Sequence, residues 1–306
     1  MQALRFGLVG TGYWARIAHA PALGSAHGST LGSGQGPGEG IEFAAVWGRN
    51  FPAAAALADR YGVTAHRDFA EFLAQVDAVA FAVPPDVQSA LAVQAAQAGK
   101  HLLLEKPIAV TAGEADALAE AVEQAGVASA VFFTMLYEAD VRRWLDEVKT
   151  AGDWAGASGV WLGSALMADS PFNTPWRQAK GGLWDLGPHL VALLWNALGP
   201  VESVTADAGA GDVTHLVLHH RDGPSSVVTV GMDVPESKGF LELFLFGSSG
   251  RSAMPRDGSD PVAPLRAALT ELAADARSGR LTNSCDVRFG RDVVQVLAQA
   301  AGQLSR

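Results

Sequence analysis

The sequence predicts an α/β protein with an N-terminal doubly wound parallel sheet and a C-terminal α+β part that has an open-faced, mostly antiparallel sheet. Three observations support this fold class. A short apolar run from Leu4 to Val9 leads directly into a glycine turn and a helix start. Strand-like apolar runs then alternate with helix-like segments as far as about residue 134, which is typical of a parallel sheet. Beyond residue 150, several extended segments follow one another with turns between them.

The glycine turn reads Gly10-x-Gly12-x-x-Ala15. Gly10 can form the tight turn, Gly12 leaves room for a pyrophosphate beside the backbone, and Ala15 allows close packing of helix on strand. Phosphates would bind the free amides at the helix start. The pattern also occurs in ordinary strand-to-helix turns, but its place between a strand and a helix favours a dinucleotide-binding Rossmann domain. We therefore also assign the next residues, Tyr13 and Trp14, to the cofactor site.

The composition is that of an ordinary globular protein, and 306 residues are enough for two domains. A formal net charge of −10 argues against non-specific binding to nucleic acid or to an anionic membrane. The single cysteine, Cys285, excludes an intramolecular disulfide and a cysteine-based zinc site, and it indicates a reducing compartment. No secretory leader precedes the first strand and no stretch is long enough to span a bilayer, so we expect a cytoplasmic protein.

The second predicted strand, Ile41 to Trp47, ends in Gly48-Arg49-Asn50, where dinucleotide-binding folds select their cofactor. An acidic residue here would bind the ribose hydroxyls of NAD, and none is present. Arg49 offers a planar cation for a 2′-phosphate and for adenine stacking, and Asn50 can donate a further hydrogen bond. The sequence therefore favours NADP(H) over NAD(H). A solvated surface arginine is the alternative.

The alternation continues with helices and strands, and Pro84 ends one of the strands. Pro84 either shapes the wall beside the nicotinamide or only terminates the strand. The glycine-rich stretch 24–40 is expected to be a surface insertion. The predicted helices are 52–61, 68–75, 87–98 and 112–125, and the strands between them are 78–83, 101–104 and 128–134.

We place the boundary between a dinucleotide-binding domain, 1–125, and a substrate-binding and oligomerisation domain, 126–306. In the second domain, residues 170–180 are expected to form a polar, aromatic-bearing loop. The predicted helices are 140–149, 183–197, 264–277 and 286–304, and the strands are 158–167, 203–208, 215–220, 226–230 and 241–246.

Three side chains are candidates for acid–base chemistry. Lys106 follows a buried strand directly, at the edge of the sheet where the cofactor should bind. Asp185 and His189 are four residues apart at a predicted helix start, which puts them on one face. Histidine is suited to proton exchange near neutral pH, and a carboxylate can orient it. The alternatives are that Lys106 is solvated, that Asp185 caps the helix and that His189 packs in the core. No histidine spacing indicates a metal site.

These motifs occur in a characteristic order. In that order they make the sequence resemble the Gfo/Idh/MocA family, the relatives of glucose-fructose oxidoreductase and inositol dehydrogenase. The likeness extends over nearly the full length of the chain. The Glu-Lys-Pro motif with a later Asp-x-x-x-His is, as a pair, fairly specific to that family. The motifs are the glycine turn, Val83-Pro84-Pro85, Glu105-Lys106-Pro107 and Gly182 through His189.

The resemblance implies an NAD(P)-dependent oxidoreductase with Glu105 and Lys106 at the cofactor. Lys106 would hydrogen-bond the substrate hydroxyl and the cofactor, His189 would take the hydroxyl proton, and Asp185 would position the substrate or the histidine. The substrate would be a sugar, cyclitol or related diol, and the sheet of the second domain would form a homodimer or homotetramer. An NADPH-binding regulator or scaffold without turnover and a nicotinamide-dependent glycosidase are the alternatives.

Some features depart from the family pattern. The chain is short, and Ala192 stands where many members have an acidic residue. The substrate pocket is therefore the least defined part of the prediction. A tryptophan face suits the apolar side of a sugar and an arginine suits an acid or phosphate, although core packing and surface exposure explain such residues equally well. The candidates for the pocket wall are Trp176, Arg177 and Trp184.

Overall fold

The computed structural model describes residues 3–26, 40–234, 240–255 and 260–304. Most of the glycine-rich stretch predicted as a surface insertion lies outside these residues. The chain divides into two compact units, one formed by Met1–Tyr137 with Ser259–Arg291 and the other by Glu138–Gly258 with Asp292–Arg306. A domain boundary is a statement about independent folding, so the boundary at residue 125 stays a prediction.

The strands are β1 (Leu4–Val9), β2 (Ile41–Trp47), β3 (Thr64–His66), β4 (Ala78–Phe81), β5 (His101–Glu105), β6 (Ser129–Phe132), β7 (Trp154–Leu162), β8 (Val201–Ala208), β9 (Thr214–His220), β10 (Ser225–Gly231), β11 (Phe240–Gly247) and β12 (Gly250–Ala253). The helices are α1 (Ala20–Ala26), α2 (Phe51–Tyr61), α3 (Phe69–Ala74), α4 (Pro85–Gln97), α5 (Ala112–Ala125), α6 (Ala139–Ala151), α7 (Pro175–Asp185), α8 (Gly187–Leu198), α9 (Val262–Ser278) and α10 (Val287–Leu304). A π-helical turn, Ala15–His19, precedes α1, and a 3₁₀ turn spans Thr134–Tyr137.

The first unit contains a parallel sheet of six strands in the order β3-β2-β1-β4-β5-β6. This order confirms the predicted Rossmann sheet. The inner strands β4 and β5 are buried on both faces, as their apolar runs predict; Leu102, Leu103 and Leu104 of β5 are fully buried. The order reverses between β1 and β4, so a ligand site is expected beyond the carboxyl ends of these strands.

An ion pair joins the starts of β1 and β4. The carboxylate of Asp77 accepts hydrogen bonds from the backbone N–H of Arg5 at 3.0 Å and from its Nη2 at 2.8 Å. The side-chain hydrogen bond from Arg5 is the main cause that lowers the pKa of Asp77 below its ordinary value. The pair therefore fastens neighbouring strands at the edge opposite the expected ligand site.

The second unit contains a six-stranded sheet in the order β12-β11-β7-β10-β9-β8. Only β7 and β10 pair in parallel among these neighbours, which confirms the predicted mostly antiparallel sheet. The helices α7 and α8 pack on β7 and β10. The buried face of the sheet includes the side chains of Leu216, Leu218, Val230 and Leu243. The opposite face carries exposed apolar side chains, with Val227 50% exposed.

The loop predicted over residues 170–180 is partly wrong, because α7 begins at Pro175. Thr174 caps this helix by accepting a hydrogen bond from the N–H of Arg177 at 3.4 Å, and proline is favoured in a first helical turn. The predicted helix over 183–197 is in fact the end of α7 followed by α8, with the junction at Leu186. Within the described residues, no helix is sufficiently long and apolar to cross a membrane.

Candidate functional site

The glycine turn is shaped by the two glycines in different ways. Gly10 has φ +124°, and a Cβ added there would lie 2.3 Å from the carbonyl oxygen of Ala82. The fold itself therefore requires glycine at this position. A Cβ added to Gly12 would have no heavy atom within 4 Å. Glycine at position 12 leaves open space beside the backbone, which fits the approach of a pyrophosphate, and Ala15 is fully buried as predicted.

The end of β2 lies beside this turn. The N–H of Gly10 donates to the carbonyl oxygen of Trp47 at 2.9 Å, and Arg49 follows two residues later with an exposed side chain. The side-chain oxygen of Asn50 caps α2 by accepting from the N–H of Ala53 at 3.2 Å. This bond directs the oxygen of Asn50 into the helix and leaves its amide N–H groups as donors. The predicted phosphate turn and the predicted ribose-binding residues therefore lie at one edge of the sheet.

Glu105 connects the glycine turn to the end of β5. Its Oε1 accepts hydrogen bonds from the indole N–H of Trp14 at 2.6 Å and from Nε2 of His19 at 2.9 Å. Glu105 is only 8% exposed, so the carboxylate is a structural acceptor within the first unit. Contact of Glu105 and Trp14 with the cofactor stays a prediction, as does that of Tyr13, which is 37% exposed.

Gln88 is a buried residue of α4 that sequence reasoning missed. Its side-chain N–H donates to the carbonyl oxygen of Glu105 at 2.8 Å, and its side-chain oxygen accepts from the N–H of Glu105 at 2.8 Å. These two hydrogen bonds hold the chain where it leaves β5. Lys106 comes directly after Glu105 and is partly exposed. The Lys106–Pro107 peptide bond is cis. Pro84 is exposed immediately before α4.

In the second unit, Asp185 and His189 lie on either side of the α7–α8 junction. Asp185 ends α7, and its carboxylate accepts hydrogen bonds from Nε of Arg177 at 2.8 Å and from Nη2 at 3.3 Å. This two-point ion pair opposes the positive charge that Arg177 would otherwise offer to an acidic ligand. His189 lies in the first turn of α8 and is 6% exposed. Its ring centroid is 5.3 Å from that of Trp161 in β7, a contact that sequence reasoning missed.

The two predicted tryptophans of the pocket wall differ in their surroundings. The Nε1 of Trp176 is buried and has no hydrogen-bond partner among the described residues. A buried indole N–H normally has a partner, so this donor suits a ligand hydroxyl. Trp184 is 5% exposed, and the ammonium of Lys180 lies 5.5 Å from its ring centroid. Packing therefore accounts for much of the surface of Trp184, and its contact with substrate stays a prediction.

Asp212 supports the segment that leads to Asp185. Its carboxylate accepts hydrogen bonds from the N–H of Gly182 at 2.9 Å and from the N–H of Met232 at 2.7 Å. Gly181 has φ +66°, and a Cβ there would lie 2.1 Å from a carboxylate oxygen of Asp212. Burial raises the pKa of Asp212, while the two backbone donors oppose this shift. Among the described residues, no three metal-binding side chains converge on one point.

The first unit thus has the sheet order, glycine turn and strand-end residues of a dinucleotide-binding Rossmann domain. Two family models match the chain, one described as "Oxidoreductase family, NAD-binding Rossmann fold" over residues 4–133 and one as "GFO/IDH/MocA C-terminal domain" over residues 149–252. The chain belongs to the Gfo/Idh/MocA family of oxidoreductases, as the motifs predict.

Named relatives include sugar dehydrogenases. Galactose 1-dehydrogenase from Pseudomonas fluorescens is 37% identical over 118 residues, which are 38% of this chain and 33% of that protein. The chain thus matches about a third of the galactose dehydrogenase. D-xylose 1-dehydrogenase (NADP(+)) 2 from Haloferax volcanii is 28% identical over 257 residues, which are 77% of this chain and 74% of that protein.

The fold also occurs in solved structures. Levoglucosan dehydrogenase in complex with NADH and levoglucosan has a TM-score of 0.81 and 15% identity, with 99% of this chain and 98% of that chain covered. At this level of identity the likeness concerns the fold alone.

Proposed function

We propose that the protein is an NADP-preferring oxidoreductase that transfers hydride between the nicotinamide and a hydroxyl or carbonyl of a sugar, cyclitol or related diol. One observation carries the proposal. The carboxyl edge of the parallel sheet holds the open glycine turn, an exposed arginine after β2 and Lys106 after the clamped end of β5. Family membership supports the reaction class, and the names of the sugar-dehydrogenase relatives support the substrate class.

The cofactor preference rests on the end of β2. Gly12 would receive the pyrophosphate, and Arg49 would bind the 2′-phosphate through its charged N–H groups. Asn50 adds amide donors, because its oxygen is committed to capping α2. No acidic residue stands at positions 48–50 to accept hydrogen bonds from a free ribose diol. The relative named as an NADP(+) enzyme agrees with this preference.

The chemistry requires a proton acceptor and a positive charge at the reacting oxygen. A bound nicotinamide would supply the hydride acceptor. His189 takes the hydroxyl proton, and Lys106 stabilises the negative charge that develops on the oxygen. Because Asp185 is bound to Arg177, we assign it to positioning. The pair fixes the end of α7, four residues before the histidine.

The substrate wall is assigned to the α7 side chains. Trp176 offers an aromatic face and a buried N–H donor without a partner among the described residues. These two features suit the apolar face and a hydroxyl of a sugar ring. Since Arg177 is paired with Asp185, a neutral polyol fits this segment better than a strongly acidic substrate.

The first experiment is a titration of the purified protein with NADPH and, separately, with NADH, followed by nicotinamide fluorescence. Tighter binding of NADPH is the expected result. Binding of NADH alone would refute the NADP preference. Binding of neither cofactor would refute the proposed function.

The second experiment measures turnover on sugars and cyclitols with NADP⁺. Lys106→Ala and His189→Ala should each reduce turnover about 10²–10⁴-fold, the usual contribution of general acid–base groups, while cofactor binding persists. Lys149→Ala is a matched control for the lysine at an exposed position. Near-normal turnover in an active-site variant would remove that residue from the scheme. Cofactor binding without turnover would favour the alternative of an NADPH-binding regulator or scaffold. Glycoside cleavage without net nicotinamide reduction would favour the alternative of a nicotinamide-dependent glycosidase.

We further propose that the exposed face of the second sheet binds a second copy of the chain, giving a homodimer or homotetramer. By strand register, Val227, Phe240 and Phe246 lie on the same face, and each is more than 40% exposed. Sedimentation of the wild type and of Val227→Lys should show an oligomer that the charged variant weakens. A monomeric wild type at micromolar concentration would refute this assembly.

A further inference from the structure

We propose that Arg67 is a second specificity-determining residue for NADP(H), and that it binds the 2′-phosphate together with Arg49. This inference rests on the proposed function and adds a residue to its cofactor site. Sequence reasoning did not single out Arg67, because the strand before it, β3, has only three residues.

Arg67 lies at the carboxyl edge of the parallel sheet. β2 and β3 are parallel neighbours, and Trp47 of β2 is paired with His66 of β3. Neighbouring strands lie about 4.8 Å apart, so the chains that leave these two strands begin side by side. Arg67 is the first residue after β3, and Arg49 is the second residue after β2. Both arginines therefore lie at the carboxyl edge where the adenosine end of the cofactor is expected.

Two contacts hold Arg67 in place. Its carbonyl oxygen accepts a hydrogen bond from the indole N–H of Trp47 at 3.3 Å. Its guanidinium carbon lies 3.7 Å from the ring centroid of Phe51. Phe51 is the first residue of α2 and directly follows Asn50, so this contact directs Arg67 towards the segment that carries Arg49.

The guanidinium of Arg67 keeps N–H donors for a ligand. A guanidinium stacked on a ring uses one face, and its N–H groups point outward in its own plane. That geometry allows a two-point bond to a phosphate. The adjacent carboxylate of Asp68 is committed to the cap of α3, where it accepts from the N–H of Glu71 at 2.9 Å. Among the described residues, no carboxylate forms an ion pair with Arg67 or with Arg49.

The chemistry distinguishes the two nicotinamide cofactors. A phosphate monoester carries close to two negative charges at neutral pH, whereas the ribose hydroxyl of NAD(H) is neutral. The protein as a whole has a formal net charge of −10, which would repel a phosphate. Two arginines without carboxylate partners supply the local positive charge that matches the phosphate. Arg67 therefore adds affinity for NADPH while contributing little to NADH.

The experiment compares Arg67→Gln, Arg49→Gln and the double variant with wild type, using Kd values for NADPH, NADH and the fragment 2′,5′-ADP. Arg67→Gln should weaken NADPH and 2′,5′-ADP about tenfold, since a charge-assisted hydrogen bond is lost, and should change NADH less than about twofold. Phe51→Leu should produce a smaller loss in the same direction. Arg60→Gln is the matched control, because Arg60 is an exposed arginine at the far end of α2.

The outcomes separate this inference from the proposed function. Unchanged NADPH affinity in Arg67→Gln would overturn the role of Arg67 and leave the oxidoreductase proposal intact. Equal losses for NADPH and NADH would also overturn it, because adenine stacking and not phosphate recognition would then explain the effect. A wild-type protein that binds neither cofactor would overturn both the proposed function and this inference.

Discussion

The indole N–H of Trp14 donates a hydrogen bond of 2.6 Å to Oε1 of Glu105. Trp14 lies two residues beyond Gly12 in the glycine turn, and Glu105 is the last residue of β5, directly before Lys106. The bond therefore couples the segment proposed to hold the pyrophosphate with the segment that presents Lys106. Nε2 of His19 donates to the same oxygen at 2.9 Å, which makes Glu105 the centre of a small buried network.

Replacement of Glu105 by alanine should destabilise the protein. The change removes the acceptor of the Trp14 N–H and the partner of His19, and an unsatisfied buried polar group costs about 1–3 kcal/mol. Denaturant unfolding should show the loss, and the Km for the cofactor should rise. Glu105→Gln keeps an oxygen acceptor and should be milder, and Glu120→Ala is an exposed control. Equal stability of the alanine variant and wild type would refute the structural role of this carboxylate.

The glycine turn allows stability to be separated from cofactor binding. Gly12→Ala adds a methyl group in open space, so the unfolding free energy should be nearly unchanged. Affinity for NADPH should fall about tenfold or more, which corresponds to about 1.4 kcal/mol, because the methyl group occupies the expected phosphate approach. Gly10→Ala should instead destabilise the fold by at least about 1–3 kcal/mol, since its φ is strained for alanine. An unaffected Kd in Gly12→Ala would exclude cofactor binding at this turn.

Asp212 should support both stability and turnover through the Gly181–Gly182 bend. Asp212→Ala leaves the N–H groups of Gly182 and Met232 without their acceptor, and each such group costs about 1–3 kcal/mol when buried. Thermal unfolding and the kcat of the purified variant provide the two readouts. Asp146→Ala removes an exposed carboxylate from the same unit and serves as the control. Full stability of Asp212→Ala would show that water or another group replaces the carboxylate.

The Arg5–Asp77 pair should make stability depend on acid pH. The hydrogen bond from Arg5 lowers the folded-state pKa of Asp77, so its contribution is complete above the unfolded-state value of about 3.9 and is lost as pH falls through the lower folded-state value. Asp77→Asn should therefore destabilise at pH 6 and lose this effect progressively in acid. The side chains are more than a third exposed, so the difference should be modest. A wild-type advantage that does not shrink in acid would contradict this assignment.

The sequence predicted the elements whose signals are local. The strands β4 and β5 are apolar runs. The helix over 112–125 has the same bounds in the structure because Thr111 and Gly126 cap it. α7 was missed because its polar side chains resemble those of a loop, although Thr174-Pro175 is a recognisable cap and first-turn pair. β3 was missed because three residues give too short a pattern to detect.

The candidate site could be predicted only where its residues follow strand ends. Gly12, Arg49 and Lys106 are found in this way, since strand alternation gives their place at the sheet edge. Gln88 and Asp212 act on residues 17 and 30 positions away, and no local pattern reports such a contact. The pairing of Arg177 with Asp185 was missed because the break at Gly181 brings the two together in a way that helical periodicity does not describe.

The first unit is assembled from two separate stretches of the chain. Leu265, Leu269 and Leu272 of α9 are buried in it, and the carbonyl oxygen of Cys285 accepts a hydrogen bond of 2.7 Å from the N–H of Val131 in β6. During synthesis, these late residues leave the ribosome only after the whole second sheet has been made. Until then, the apolar surface that α9 covers on the nascent Rossmann sheet is exposed. A chain that ends near residue 250 would therefore be prone to aggregate and would not fold as a smaller cofactor-binding protein.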